Sequence, residues 1–304
     1  MVDGGDLYFS RPQLGAEALA REKFRAQAIV AAFNRSGTDA ITIGECDLSA
    51  GVDFLKALAD SARFPFLSAN LTDENGRPIF APYVVVEKGG LKLGLVGASS
   101  VMPAGDGYRF QELLPALEKA VEEAHALADM VILLFHGTDA DKEAIAASRL
   151  PIDLILQSHV KRQTMNFGME PIPVAALGSL GRYLNVITMR IHSPGEVLVD
   201  LSAQRRTLNF VEKSLARLRR NQPKGNTLEA LYADDPGVLK RIQSLRERGA
   251  EARSEIQAAV NTLEVERVAL DASIRDDKEV LGLVTAAKQA MAKVTAPSTP
   301  QASI

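Results

Sequence analysis

The stretch Met130-Val-Ile-Leu-Leu-Phe-His-Gly137 constrains this chain more than any other. Its first five residues are apolar without alternation, which predicts a strand buried on both faces. Such a strand needs a covering layer on each side, and this points to an α/β architecture. The strand runs directly into a histidine and a glycine. Loops converge at the carboxyl ends of buried strands in these folds, so His136 stands where chemistry is expected.

The segments around it alternate in kind. Apolar residues at helical spacing over 13–33 precede a β-branched strand at 39–44, a helix at 52–62 and a strand at 66–70. Segments 83–87 and 91–97, joined across Gly89-Gly90, predict a hairpin. A helix near 111–127, the His136 strand, a helix over 140–148 and strands at 152–156, 172–177 and 184–191 complete an α/β domain over 1–203. Beyond Gln204 the composition shifts to charged stretches with apolar residues three and four apart. Val238, Ile242, Leu245, Gly249, Ala252, Ile256, Ala259 and Leu263 follow a heptad-like rhythm. With the loop 221–226, they predict an antiparallel helical hairpin over 205–263, suited to internal packing, self-association or partner docking. Residues 263–268 fit strand or helix, and Asp276-Asp277 is placed to cap a helix reaching about Lys293. The region 204–295 therefore reads as mostly helical, and 296–304 as a flexible tail.

Composition removes several function classes. A net charge of −3 gives no electrostatic footprint for nucleic acid. Cys46 is the only cysteine, which excludes an intrachain disulfide and a cysteine-rich zinc or haem motif. No apolar run approaches the roughly 20 residues of a membrane span. The chain opens on Val2-Asp-Gly-Gly-Asp6, already a strand end entering a loop, and shows no signal peptide, so a native segment upstream is expected.

Polar residues gather at the strand ends. Asp6 follows the first, Glu45, Cys46 and Asp47 follow Ile41-Thr-Ile-Gly44, and His136 and His159 follow two apolar strands. If the sheet is mainly parallel, these loops open at one edge. Carboxylates mixed with imidazoles suit a divalent zinc, manganese or iron ion.

Gly5-Asp6, Gly44-Glu-Cys-Asp47, Phe66-Leu-Ser-Ala-Asn70, Phe135-His-Gly137 and Ser158-His159 together resemble the calcineurin-type metallophosphoesterases, in particular the secreted 5′-nucleotidase and UDP-sugar hydrolase branch. The resemblance covers about residues 2–192. It implies a four-layer α/β/β/α fold with a two-metal site, a small phosphorylated or related ester substrate, and a periplasmic or extracellular setting. The family motifs run Asp-x-His, Gly-Asp, Gly-Asn-His-Glu, a lone His, then Gly-His-x-His. Asp6 matches the bridging aspartate, Glu45 stands for the asparagine, and His136 and His159 match two histidine ligands. Cys46 replaces the histidine that assists the transition state, Asp47 replaces the glutamate, Ser158 a glycine, and Lys161 the final histidine. The chain has no residues where Asp-x-His belongs.

These departures sort by metal. The resemblance implies that Asp6, Glu45, His136 and His159 hold one ion, while the other loses nearly all its ligands. Lys161 would supply part of the missing charge, and Cys46 and Asp47 would join it as catalytic candidates. Gly44-Glu-Cys-Asp-Leu48 is similar to a subgroup with cysteine or selenocysteine at this position. A thiol beside a metal or Lys161 would have a lowered pKa; a lone cysteine is equally a small buried hydrophobe. Two functions stay open: a diverged metal-dependent phosphoesterase with a degenerate site, or a non-catalytic, cysteine-based redox or interaction module on the same fold.

Overall fold

The computed structural model describes residues 1–101, 103–160, 172–176, 178, 181–220 and 225–294. The chain divides into two compact units, the second of which contains Asn185–Arg267.

The first unit begins with strand β1 (Val2–Asp3), helix α1 (Ala16–Arg35), β2 (Ala40–Thr42), α2 (Val52–Ser61) and β3 (Phe66–Leu67). Each helix is a crossover between parallel neighbours, giving a sheet ordered β1-β2-β3. Ala26 and Val30 of α1 and Leu55 and Leu58 of α2 lie on single helical stripes, and they pack with Ile41, Ile43 and Phe66 in one apolar cluster. The chain then forms β4 (Leu71–Thr72), β5 (Tyr83–Lys88), β6 (Leu91–Ser99), β7 (Arg109–Phe110), α3 (Leu113–His125), β8 (Met130–His136), α4 (Asp139–Ala147), β9 (Leu154–Ser158) and β10 (Val174–Ala176). These build a second sheet ordered β10-β9-β8-β6-β5, parallel except for the β5 edge. The β5–β6 hairpin turns on Gly89 and Gly90, both at positive φ (60° and 81°). That is the conformation a two-residue hairpin turn demands.

All seven residues of β8 are buried, as its unbroken apolar run requires. β2 packs against β6 and β8, while α3 covers β5, β6 and β8 from the other side. Leu117, Ala120, Val121 and Ala124 form the buried stripe of α3. The small residues Gly94 and Ala124 let helix and sheet approach closely. The order is thus helix, sheet, sheet, helix.

Two strands differ from the sequence expectation. The 66–70 segment breaks into β3 and β4 because Asn70 leaves the ladder: its amide donates to the Ser99 carbonyl (2.7 Å) and accepts from the Ser99 N–H (3.2 Å). The 152–156 strand shifts two residues toward His159, since Asp153 instead accepts from the Val131 N–H (2.7 Å) before the ladder begins. Leu177, Ser179 and Leu180 lie outside the described residues.

The second unit contains most of β11 (Tyr183–Arg190) and β13 (Asn261–Ala269), with β12 (Leu198–Asp200), α5 (Ser202–Arg219), α6 (Leu228–Leu231) and α7 (Pro236–Ala258) between them. Gln204 bonds to Glu255 (2.7 Å) near one end, and Gly249 faces Val211 midway, so α5 and α7 run antiparallel. Ile242, Leu245, Gly249 and Ala252 form the buried stripe of α7. The ambiguous 263–268 segment is strand, in a sheet ordered β11-β13-β12. The final helix α8 (Lys278–Val294), whose first N–H groups Asp277 caps (3.0 Å each), packs along α1 in the first unit, with an Arg35–Glu279 ion pair. Sequence alone groups it with the helices before it; the extended β13 carries the chain away from them. No helix among the described residues is long and apolar enough to cross a membrane.

Candidate metal centre

Two loops carry the acidic half of the site. After β1 the chain turns through Gly4-Gly5 to Asp6, and after β2 through Gly44 to Glu45. The loops touch so closely that neither Gly5 nor Gly44 tolerates a side chain. A Cβ on Gly44 would lie 2.3 Å from Asp6 Oδ1, and one on Gly5 (φ 95°) would lie 2.7 Å from the Gly44 nitrogen. Asp47 locks the pair together from beneath. Its Oδ2 accepts from the N–H groups of Asp6 (2.9 Å) and Gly44 (2.9 Å), and its Oδ1 from that of Tyr8 (3.0 Å). Fully buried and with both oxygens engaged by backbone, Asp47 acts here as a loop clamp.

The clamp holds Asp6 in a left-handed backbone conformation, φ 58°, which a non-glycine residue adopts at a cost on the order of 1 kcal/mol. Asp6 Oδ1 accepts from the Cys46 N–H at 2.7 Å. One carboxylate oxygen is thereby anchored, and the other, Oδ2, lies 3.6 Å from His136 Nε2.

The imidazole half comes from adjacent strands. His136 ends β8 and is paired in register with Ser158, the last residue of β9. His136 Nδ1 lies 2.8 Å from Ser158 Oγ, which in turn donates to the Gly4 carbonyl. His136 Nε2 is buried and has no hydrogen-bond partner. His159 follows at φ 62°, placing its ring 5.0 Å from that of His136 and its Nδ1 3.7 Å from Glu45 Oε1. Thr138, whose Oγ1 accepts from the Asp141 N–H (3.2 Å), starts α4 directly after His136-Gly137 and so ends the strand there.

Electrostatics favour a neutral imidazole at His136. Burial pushes the His136 pKa below its ordinary value, against the pull of Asp6, and His159 adds to the lowering. Burial raises Glu45, which His159 partly offsets, and raises Asp3 to about 6 and Asp47 to about 7. The Cys46 thiol is also pushed up, first by burial and then by Asp6, Glu45 and Asp47. A cation would lower it; its carboxylate neighbours do the reverse and keep it protonated.

Side-chain donors of Asp6, His136 and His159 lie within 4.8 Å of one another, as do those of Asp6, Glu45 and Cys46. An unpartnered buried nitrogen facing a carboxylate oxygen fits a divalent cation bound by mixed nitrogen and oxygen donors. Asp6, Glu45, His136 and His159 are therefore together, as their strand-end positions imply. Lys161 lies outside the described residues. Sequence reasoning missed the hydrogen-bonding part of Ser158, although its place as the register partner of a strand-end histidine was a usable signal.

The described fold aligns with the crystal structure of the calcineurin-like phosphoesterase YfkN from Bacillus subtilis, covering 96% of this chain and 84% of that one, with a TM-score of 0.61 at 19% identity. This chain has the calcineurin-like phosphoesterase fold. The sulfate thiohydrolase SoxB of Thermus thermophilus, solved with glycerol, aligns over 62% of this chain and 35% of its own, with a TM-score of 0.54 at 26% identity. By sequence the chain is 29% identical over 179 residues to the uncharacterized metallophosphoesterase YunD of Bacillus subtilis, spanning 55% of this chain and 38% of YunD. It is 26% identical over 242 residues to the trifunctional nucleotide phosphoesterase YfkN, spanning 63% of this chain and 16% of that protein. The chain thus spans well under two thirds of either relative's length. Its relatives are metallophosphoesterases and 5′-nucleotidases. No protein-family profile matches the sequence.

Proposed function

We propose that this chain is a diverged, metal-dependent phosphoesterase of the 5′-nucleotidase type in which the residues present hold one divalent ion. The supporting observation is His136 Nε2, buried and unpartnered, 3.6 Å from Oδ2 of Asp6. Asp6 Oδ2 and His136 Nε2 would hold the ion with His159 and Glu45, completing the set that strand-end register and the family resemblance both select. A bound manganese, zinc or iron ion would polarise a phosphoryl oxygen and lower the pKa of a water.

The chain's own groups have separable tasks. Asp47 and the two facing glycines fix the loops that present Asp6 and Glu45. Without an ion, burial and the neighbouring carboxylates keep the Cys46 thiol protonated; an ion held by Asp6 and Glu45 would lower its pKa. Lys161, two residues beyond His159 in sequence, would contribute a permanent positive charge to stabilise charge developing on the transferred group. The substrate is a small phosphate ester or a related sulfur ester, met in a periplasmic or extracellular setting. The apolar stripe of α7 is already used against α5, which favours internal packing over self-association for these helices.

Metal analysis of the purified protein beside an Asp6→Ala/His136→Ala variant tests the centre. About one ion per chain is expected in the parent and none in the variant; equal content in both would sink the reading. Aryl phosphomonoesters and phosphodiesters, supplied with manganese or zinc, then test hydrolysis. Silence across metals and substrates would leave the fold without the chemistry.

A further inference from the structure

We infer that Ser158 is a positioning residue, one that fixes the tautomer of His136 so that Nε2 presents its lone pair to the centre. This rests on the proposed metal reading only for its affinity arm. The Gly4 carbonyl can only accept a hydrogen bond, so Ser158 Oγ, bonded to it, donates its one proton there. Toward His136 Nδ1, 2.8 Å away, the same hydroxyl can then only accept. Nδ1 therefore carries the hydrogen. In a neutral ring this leaves Nε2 as a bare lone pair, and Nε2 is the atom that is buried, unpartnered and aimed at Asp6.

Ladder register sets this relay. Pairing of β8 with β9 puts residue 158 opposite His136, and the loop after β1 brings the Gly4 carbonyl to the same hydroxyl. The resemblance places a glycine at this position, so the hydroxyl is a feature of this chain. The Gly4 backbone also hydrogen-bonds the His136 ring, so alanine at 158 would remove one of two acceptors on the Nδ1 side and leave the ring freer to adopt the Nε2–H form, which could donate to Asp6 but could not bind metal. Outer partners that orient a histidine ligand typically change metal affinity 10–100-fold when removed.

The experiment uses the full chain with ¹⁵N-labelled histidine. Long-range ¹H–¹⁵N correlation on chelator-treated protein, with His136→Gln assigning the signal, reads the tautomer directly. Titration with Mn²⁺ or Zn²⁺ gives affinity in parallel. The parent should show Nδ1–H with Nε2 bare, Ser158→Ala should shift toward Nε2–H and bind metal about 10–100-fold more weakly, and Ser158→Thr should restore both. The proposal is overturned by an Nε2–H parent, or by a Ser158→Ala protein with unchanged tautomer and affinity. Should Ser158→Ala fail to fold, the parent's tautomer and the threonine variant still decide. A parent that binds no metal defeats the proposed function, while the tautomer measurement stands apart from it.

Discussion

Asp47 offers the sharpest quantitative test because its contribution can be counted. Three backbone N–H groups, those of Asp6, Gly44 and Tyr8, terminate on its carboxylate, and none faces solvent through it. Stranding a buried donor costs about 1–3 kcal/mol. Asp47→Ala removes all three acceptors, so a loss of about 3–5 kcal/mol is expected, with entering water setting the upper end. Asp47→Asn can keep its oxygen at the Oδ2 position, preserving two bonds, while its amide meets the Tyr8 N–H donor to donor. About 1–2 kcal/mol should be lost there. Urea unfolding with an unchanged slope measures both variants. An alanine variant within 1 kcal/mol of the parent, or an asparagine variant as damaged as alanine, would refute the count. The pH dependence has a definite sign. Burial holds the Asp47 pKa at about 7 against an ordinary 3.8, so the folded chain keeps a proton that the unfolded chain releases. The parent's margin over Asp47→Asn is therefore full below about pH 4 and declines as pH rises through 7. A margin that grows across that window contradicts the assignment.

Gly44→Ala should cost at least about 1–3 kcal/mol and abolish metal binding, because its Cβ would strike Asp6 Oδ1; titration calorimetry showing unchanged affinity would count against the loop geometry. Cys46 in chelator-treated native protein should resist iodoacetamide up to about pH 9, since its thiol is buried and pushed above the ordinary range, and should react at once on unfolding. Rapid native labelling near neutral pH would revive a reactive thiolate. Gly249→Leu should destabilise the α5–α7 pair by about 1–3 kcal/mol by driving a side chain into Val211, visible as early helix loss in thermal circular dichroism. A variant melting with the parent would place the seam elsewhere.

The sequence was most legible where one physical demand acted alone. Unbroken apolarity in 130–135 required a doubly covered strand, paired positive-φ glycines required a hairpin turn, and the three-and-four spacing of 238–252 required a packed helical stripe. Legibility failed where local pattern and tertiary pairing competed. Val265 and its neighbours serve helix or strand equally well, and only a place in a sheet between β11 and β12 decided for strand. Asn70 reads as part of a strand until the Ser99 backbone claims its amide. The candidate site divides the same way. Residue types at strand ends placed Asp6, Glu45, His136 and His159 together, because parallel strands bring their ends to one edge. Nothing local told Asp47, which faces inward onto backbone, from Glu45, which faces His159.

That distinction has a consequence for how such a site diverges. Asp6 and His159 both sit at positive φ, a strained backbone that persists only where surroundings hold it. At Asp6 the holding is done by the Asp47 carboxylate and the Cys46 N–H, neither of which depends on the side chain at 46. The Cys46 side chain also hydrogen-bonds Asp6, so a substitution at 46 would reach the Asp6 carboxylate through the side chain as well as beside the backbone contact. The clamp leaves Asp47 no freedom either, because each of its oxygens is taken by backbone N–H groups. Under the proposed reading, an intact Asp6–His136 contact beside a Cys46 thiol pushed above its ordinary pKa would keep the ligand side chains in place while changing the proton offered at position 46.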